Sequence, residues 1–171
     1  SDLTASVADV ARFGYDLHGA TGPRLLSRAS QQVMVPKPSQ FYGFATFNLE
    51  RAGISGQSTG GPYAAVYGHL GATYGYDSLL AYYPGIDATL AIGTDIETDQ
   101  QAQPSDTMCL AYNAVLAALT GTPEPSCAYV KSGYYGGRCE CGNNYECSKA
   151  TKQCMTSSRG TLSKADCEAA C

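Results

Sequence analysis

Charge is scarce in this 171-residue chain. Asp, Glu, Lys and Arg make up 15% of it, against roughly a quarter in ordinary soluble domains. Basic residues are the scarcer kind, 11 against 15 acidic, and the net charge is −4. A nucleic-acid or anionic-membrane surface needs clustered Lys and Arg, so this balance argues against both partners. No apolar run approaches the ~20 residues of a membrane-spanning helix, so no membrane span is expected. Asn-x-Ser/Thr is missing as well, and with it any expected N-glycan. Little charge does not mean disorder here, because hydrophobic residues reach 44%. The chain opens at Ser1 with neither Met nor signal peptide and reads as a mature or processed product.

Cysteine is what the chain has in quantity. Six of its eight cysteines lie between Cys139 and Cys171, spaced C-x-C-x5-C-x6-C-x12-C-x3-C. An even number packed into a Gly-rich tail reads as a disulfide framework and places the chain outside the cell, secreted or lumenal. Zinc is the rival. However, Cys139 and Cys141 stand one residue apart and no His lies nearby, so no metal and no cofactor are expected. The tail cysteines are expected to pair among themselves, in a connectivity that sequence cannot choose. Cys109 is expected to pair with Cys127.

Local signals predict an α+β chain. Ser6 caps a helix whose apolar positions Val7, Val10, Ala11 and Leu17 recur at helical spacing, ending by Gly19. Ser27 caps a short second helix to about Met34, stopped by Pro36 and Pro38. Phe41–Leu49, Ala64–His69, Ser78–Tyr83 and Ala88–Ile96 read as strands, the last three joined by short turns into an antiparallel sheet. Ser105 then caps a helix with Met108, Tyr112, Val115, Leu116 and Leu119 along one stripe and Gly121 at its end. That helix should lie on a face of the sheet. Composition changes near Ser126, which divides the chain into 1–125 and a disulfide module over 126–171.

Three segments of the first part resemble, in order, the serine β-lactamase-like superfamily of class C β-lactamases, DD-peptidases and S12-type peptidases. Ser6-Val7-Ala8-Asp9-Val10-Ala11-Arg12-Phe13 is similar to its S-T-A-x-D-L-A-R-F helix. Leu25-Leu26-Ser27-Arg28-Ala29-Ser30 with Met34 is similar to L-L-S-P-A-S…M. Tyr67-Gly68-His69-Leu70-Gly71-Ala72-Thr73-Tyr74-Gly75-Tyr76 is similar to x-G-H-T-G-x-T-P-G-F, the third active-site motif. The resemblance implies that 1–125 is the C-terminal part of such a hydrolase domain. The family's nucleophile motif Ser-x-x-Lys and its Tyr-x-Asn relay are absent from all 171 residues. Both precede the matched region in the family. The resemblance therefore implies an upstream chain of the same precursor that carries them, and a small amide or ester as substrate. It also implies that His69 polarises the site or binds a substrate carboxylate. Gly71 would leave room for substrate along the strand, and Ala72 N–H would be an oxyanion donor. Leu70 stands where the family has Thr or Ser, which puts one substrate hydrogen bond in question. Read without its neighbours, His69 is a polar residue at a strand end.

Other signals point elsewhere. Gly56-Gln57-Ser58-Thr59-Gly60 matches a nucleophile elbow but lacks the strand-turn-helix context. Ser1 lacks the starting strand of an N-terminal nucleophile. His18 reads as a favourable charge at a helix C-terminus. Asp95, Glu97 and Asp99 alternate on a strand end and read as a solvated edge. Tyr134, Tyr135 and Tyr145 in the tail could stack on sugar rings. They supply the alternative function, a non-catalytic binding or structural protein on the same scaffold.

Overall fold

Ser6 and Ser27 open the first two helices as the sequence predicts. Each lies in extended backbone, and each side chain accepts from the N–H three residues on, at Asp9 and Ser30. These are helices α1 (Val7–His18) and α2 (Arg28–Met34). The computed structural model describes residues 4–21, 25–52, 54, 63–96, 102–121, 127–131, 137–141, 145–148, 150–156 and 164–171.

Strands β1 (Phe47–Asn48), β2 (Tyr67–Thr73), β3 (Tyr76–Tyr83) and β4 (Ala88–Thr94) form one antiparallel sheet in that order. A two-residue turn joins β2 to β3. Both of its residues, Tyr74 and Gly75, have positive φ, at 49° and 90°. This hand of turn matches the twist of the strands it connects. The four residues from Pro84 to Asp87 join β3 to β4.

Side chains alternate across β3 and divide the core between two faces. Leu79, Ala81 and Tyr83 are buried together with Met108, Tyr112 and Leu116 of helix α3 (Ala102–Thr120). Leu80 and Tyr82 point the other way. There Gly14 of α1 rests over Leu80 and Thr89, and His18 stacks on the Tyr82 ring at 5.8 Å. One helix thus covers each face of the antiparallel sheet, as a sheet apolar on both sides requires.

Two expectations are corrected here. Phe41–Leu49 is not one strand, since only Phe47 and Asn48 pair with β2. The stretch before them curls back, with Gly43 N–H bonded to Thr46 O, Ala45 at φ 49° and Phe44 N–H bonded to Met34 O. Closing this turn against the end of α2 uses the backbone groups that a longer strand would have needed. Helix α3 also begins three residues before Ser105. Pro104 fits its first turn because the N–H that proline lacks has no helical partner there. Gly121 ends the helix at φ 67° as predicted.

Asp87, in the turn after β3, binds the α1 end to the sheet. Its carboxylate accepts from Ala20 N–H and from the hydroxyls of Tyr15, Thr21 and Tyr82. Burial pushes its pKa up, but these four donors outweigh burial and hold it below 3.8. His18, stacked on Tyr82, is 8% exposed, and burial depresses its pKa below 6.5. It is therefore a neutral ring stacked in the interior, not the helix-end charge that the sequence suggests.

This burial predicts a pH dependence. The unfolded chain takes up a proton on His18 near 6.5, while the folded chain does so only at lower pH. Stability should be constant above about pH 6.5 and fall as pH drops through the window between the two pKa values. Asp87 weakens the fold only in a separate window, below 3.8. Urea midpoints measured across this range should show the first decline in the parent and not in His18→Phe, which keeps the stacked ring. An equal decline in both would assign it to another group.

The tail contains two hairpins and a helix. Strands β5 (Cys127–Lys131) and β6 (Gly137–Cys141) pair with each other, as do β7 (Tyr145–Ser148) and β8 (Gln153–Thr156). Helix α4 (Lys164–Ala170) follows. The bridges are Cys109–Cys139, Cys127–Cys141, Cys147–Cys171 and Cys154–Cys167. The expected Cys109–Cys127 pair is thus wrong, and so is the closure of Cys139 and Cys141 within the tail. The register of the first hairpin sets Cys127 directly across from Cys141. Cys139, two residues earlier on the same face of β6, is left to reach Cys109 on α3. Asn113 Nδ2 donates to Cys109 O at 2.7 Å and to Cys139 Sγ at 3.4 Å, beside that bridge. The other four tail cysteines pair among themselves as expected. Among the described residues no helix is long and apolar enough to cross a membrane.

Candidate functional site

The Tyr67–Thr73 segment is laid out by strand alternation. Tyr67, His69 and Gly71 share a face with Tyr82, Leu80 and Ser78, their partners on β3. Gly68, Leu70 and Ala72 belong to the opposite face. The three predicted site residues therefore do not converge through their side chains.

The backbone brings them to one edge instead. Leu49 N–H donates to Val66 O at 2.9 Å across the β1 side of the strand. In an extended strand, alternate residues turn N–H and C=O to the same side. Gly68, Leu70 and Ala72 therefore direct their backbone groups toward β1, which ends at Phe47, opposite Gly68. Among the described residues no strand pairs with β2 beyond that point. Ala72 is exposed, and its N–H faces this open edge.

His69 stands at the start of the same edge, exposed, with its ring held at both nitrogens. Its Nδ1 lies 2.5 Å from Leu70 O. A carbonyl only accepts, so the network assigns the proton to Nδ1. On the other side of the ring, Nε2 lies 3.1 Å from the Tyr42 hydroxyl. The Phe47 ring meets the imidazole edge-on at 4.9 Å and Tyr42 at 4.5 Å. In this arrangement the imidazole orients a phenol.

Sequence reading missed Tyr42 and Phe47. Their only signal was an aromatic-rich stretch, and a straight strand would have carried Tyr42 away from His69. The turn at Gly43–Thr46 returns it, pairing Tyr42 with Phe47 in an isolated bridge. Gly71 also differs from expectation. A Cβ there would meet Ser78 Oγ at 2.5 Å, so the space left by this glycine is taken by the neighbouring strand.

Among the described residues, the sulfurs of Cys127, Cys139 and Cys141 form the one His/Cys/Asp/Glu group close enough to hold an ion, all within 4.8 Å. Each is in a disulfide and has no thiolate to offer a metal. Asp95 is exposed, in keeping with a solvated edge. Ser1, Ser58, Glu97, Asp99, Tyr134 and Tyr135 lie outside the described residues, as does the side chain of Tyr145. No known protein family, no curated protein and no solved structure matches this chain.

Proposed function

We propose that this chain is the C-terminal part of a secreted serine hydrolase of the β-lactamase and DD-peptidase type. It would cleave a small amide or ester through an acyl-enzyme, with the nucleophile on an upstream chain of the same precursor. The observation that carries this reading is the open edge of β2. There an H-x-G segment presents a tautomer-assigned His69 and, three residues on, an outward-facing Ala72 N–H. Four disulfides are in keeping with an extracellular setting.

The chemistry follows from what such an edge offers. When a serine Oγ bonds to the substrate carbonyl carbon, the carbonyl oxygen gains negative charge. A backbone N–H already aimed at that position stabilises it without reorganisation. The tetrahedral centre then collapses and the C–N or C–O bond to the leaving group breaks, with a proton delivered to that group. Water later releases the acyl chain from the serine. This chain would supply the donor and, through His69 and Tyr42, polar groups at the mouth of the site. The partner would supply the Ser, Lys and Tyr.

Intact-mass analysis of the native protein, with and without a fluorescent penicillin and a fluorophosphonate, tests the reading. The expected result is a second polypeptide that takes the label on the Ser of a Ser-x-x-Lys sequence. Ala72→Pro removes one N–H at a place where nothing in the sheet uses it. Acylation should fall about a hundredfold or more, the usual loss for one oxyanion donor, with the fold intact by circular dichroism. Native material made of this chain alone and inert to both probes would sink the proposal and leave the binding-module alternative.

A further inference from the structure

A second concave site lies on the α1 side of the sheet, one rung away from His69 on the same face and sharing none of the residues around it. The cleft has a volume of about 410 Å³, within the range of small-molecule sites. Its floor is Tyr67 and Tyr82, adjacent on paired strands. Its walls are α2 and the turn from Val35 to Pro38.

The charge of the lining is one-sided. Arg28 and Lys37 line the cleft and no carboxylate does, in a chain whose net charge is −4. Arg28 is held in place by neutral acceptors, donating to Ala20 O at 2.6 Å and to Gln31 Oε1 at 3.3 Å. Gln31, itself buried, donates to Leu17 O at 2.6 Å and so fixes α2 against α1. Asp87 belongs to the same network but lies outside the lining and is satisfied by four donors. Glu50 acts on the Tyr67 hydroxyl from outside the lining. Val35, Pro36 and Pro38 join the two tyrosines as the cleft's apolar and aromatic lining, and the polar side chains of His18, Gln31 and Gln32 complete it. Asn48 Nδ2 supports that wall through Pro38 O at 3.5 Å.

Two cations in the lining of a largely apolar and aromatic cleft, Arg28 held by hydrogen bonds and Lys37 exposed, select a ligand with the complementary pattern. We propose that this cleft binds a small organic carboxylate with a flat apolar body. The carboxylate would lie at Arg28 and Lys37 and the body between Tyr67, Tyr82 and the two prolines. The site stands apart from the proposed hydrolase edge and does not depend on it.

Isothermal titration of the full chain with phenylacetate, phenylacetamide and inorganic phosphate tests the assignment. Phenylacetate should bind saturably. The neutral amide and phosphate should each bind about tenfold more weakly, the amide for want of charge and phosphate for want of an apolar body. Lys37 is exposed, so its replacement leaves the fold intact. Lys37→Gln should weaken phenylacetate about tenfold, Lys37→Glu should abolish binding, and His69→Ala should leave it unchanged. No saturable phenylacetate binding, equal affinity for the amide or for phosphate, binding that survives Lys37→Glu, or loss in His69→Ala would each overturn the proposal.

Discussion

Gly68→Ala is expected to remove a large share of this protein's stability. A Cβ at Gly68 would fall on the backbone carbonyl of Leu80 and press on Leu49 Cδ1 at 3.0 Å. The first is backbone, and the second ends a side chain that is fully buried. The Leu80 carbonyl belongs to the strand that pairs with β2 along its whole length, so relief requires the two central strands to part. Overpacking of a core side chain typically costs about 1–3 kcal/mol. Displacing sheet backbone should reach the top of that range or exceed it, a large share of the 5–15 kcal/mol or so that holds an ordinary domain together. Gly71→Ala is the internal control. Its Cβ meets only Ser78 Oγ, a rotatable hydroxyl, and the change should stay within about 1 kcal/mol. Urea unfolding with the disulfides intact measures both. Equal midpoints for the two variants would show that the close approach at Gly68 relaxes without cost. The comparison also bears on function, because both glycines belong to the segment that resembles the hydrolase motif. Gly68 has a packing reason to be glycine that needs no substrate.

Tyr112→Ala is the second change with a large expected effect. Tyr112 and Tyr83 are fully buried and stack in parallel, 3.9 Å apart with 11° between their planes. This pair is the centre of the α3–sheet contact. Each phenol finds a carbonyl, Tyr112 O–H donating to Tyr63 O at 2.8 Å and Tyr83 O–H to Ile54 O at 3.4 Å. Burial accordingly raises both pKa values, that of Tyr112 to about 12. Removing a buried aromatic ring costs about 3–5 kcal/mol through lost contacts and the cavity left behind. Tyr112→Ala should fall in that range. Tyr112→Phe keeps the stack and loses one hydrogen bond, so it should cost about 1 kcal/mol. Chemical denaturation of both variants separates the two contributions. If Tyr112→Phe costs as much as Tyr112→Ala, the hydrogen bond to the Tyr63 loop matters more than the stack.

What could be read from the sequence was local. Ser6 and Ser27 cap their helices because a short side-chain oxygen three residues before an N–H is enough to make the bond. Pro84-Gly85 turns the chain because a few backbone angles decide a turn, and an antiparallel sheet follows from the short connections between strands, although the first of them closes at Tyr74-Gly75, within the longer connection that the sequence suggested. The cysteine spacing made the tail a disulfide framework for the same reason.

The pairing inside that framework depended on something else. Cys127 meets Cys141 because of strand register, and Cys139 meets Cys109 because a hairpin packs on α3. Cys109 is nearer in sequence to Cys127 than to Cys139 and still pairs with Cys139. The candidate site divides in the same way. The His69-Leu70-Gly71 segment was visible as residues, but the strand read over Ala64–His69 is in fact Tyr67–Thr73. Tyr42 on the His69 ring, the open backbone edge at Ala72 and the cation-lined cleft at Arg28 and Lys37 were not visible. Each joins segments far apart in the chain, as Asp87 does when it accepts from Ala20, 67 residues away. Sequence alone determined where the chain turns, where helices begin and which residues are available for chemistry, because those preferences act over a few bonds. Which of these residues meet was decided only in the tertiary structure. Contacts between distant segments depend on burial, strand register and the close approach of backbones, and no short stretch of sequence specifies them.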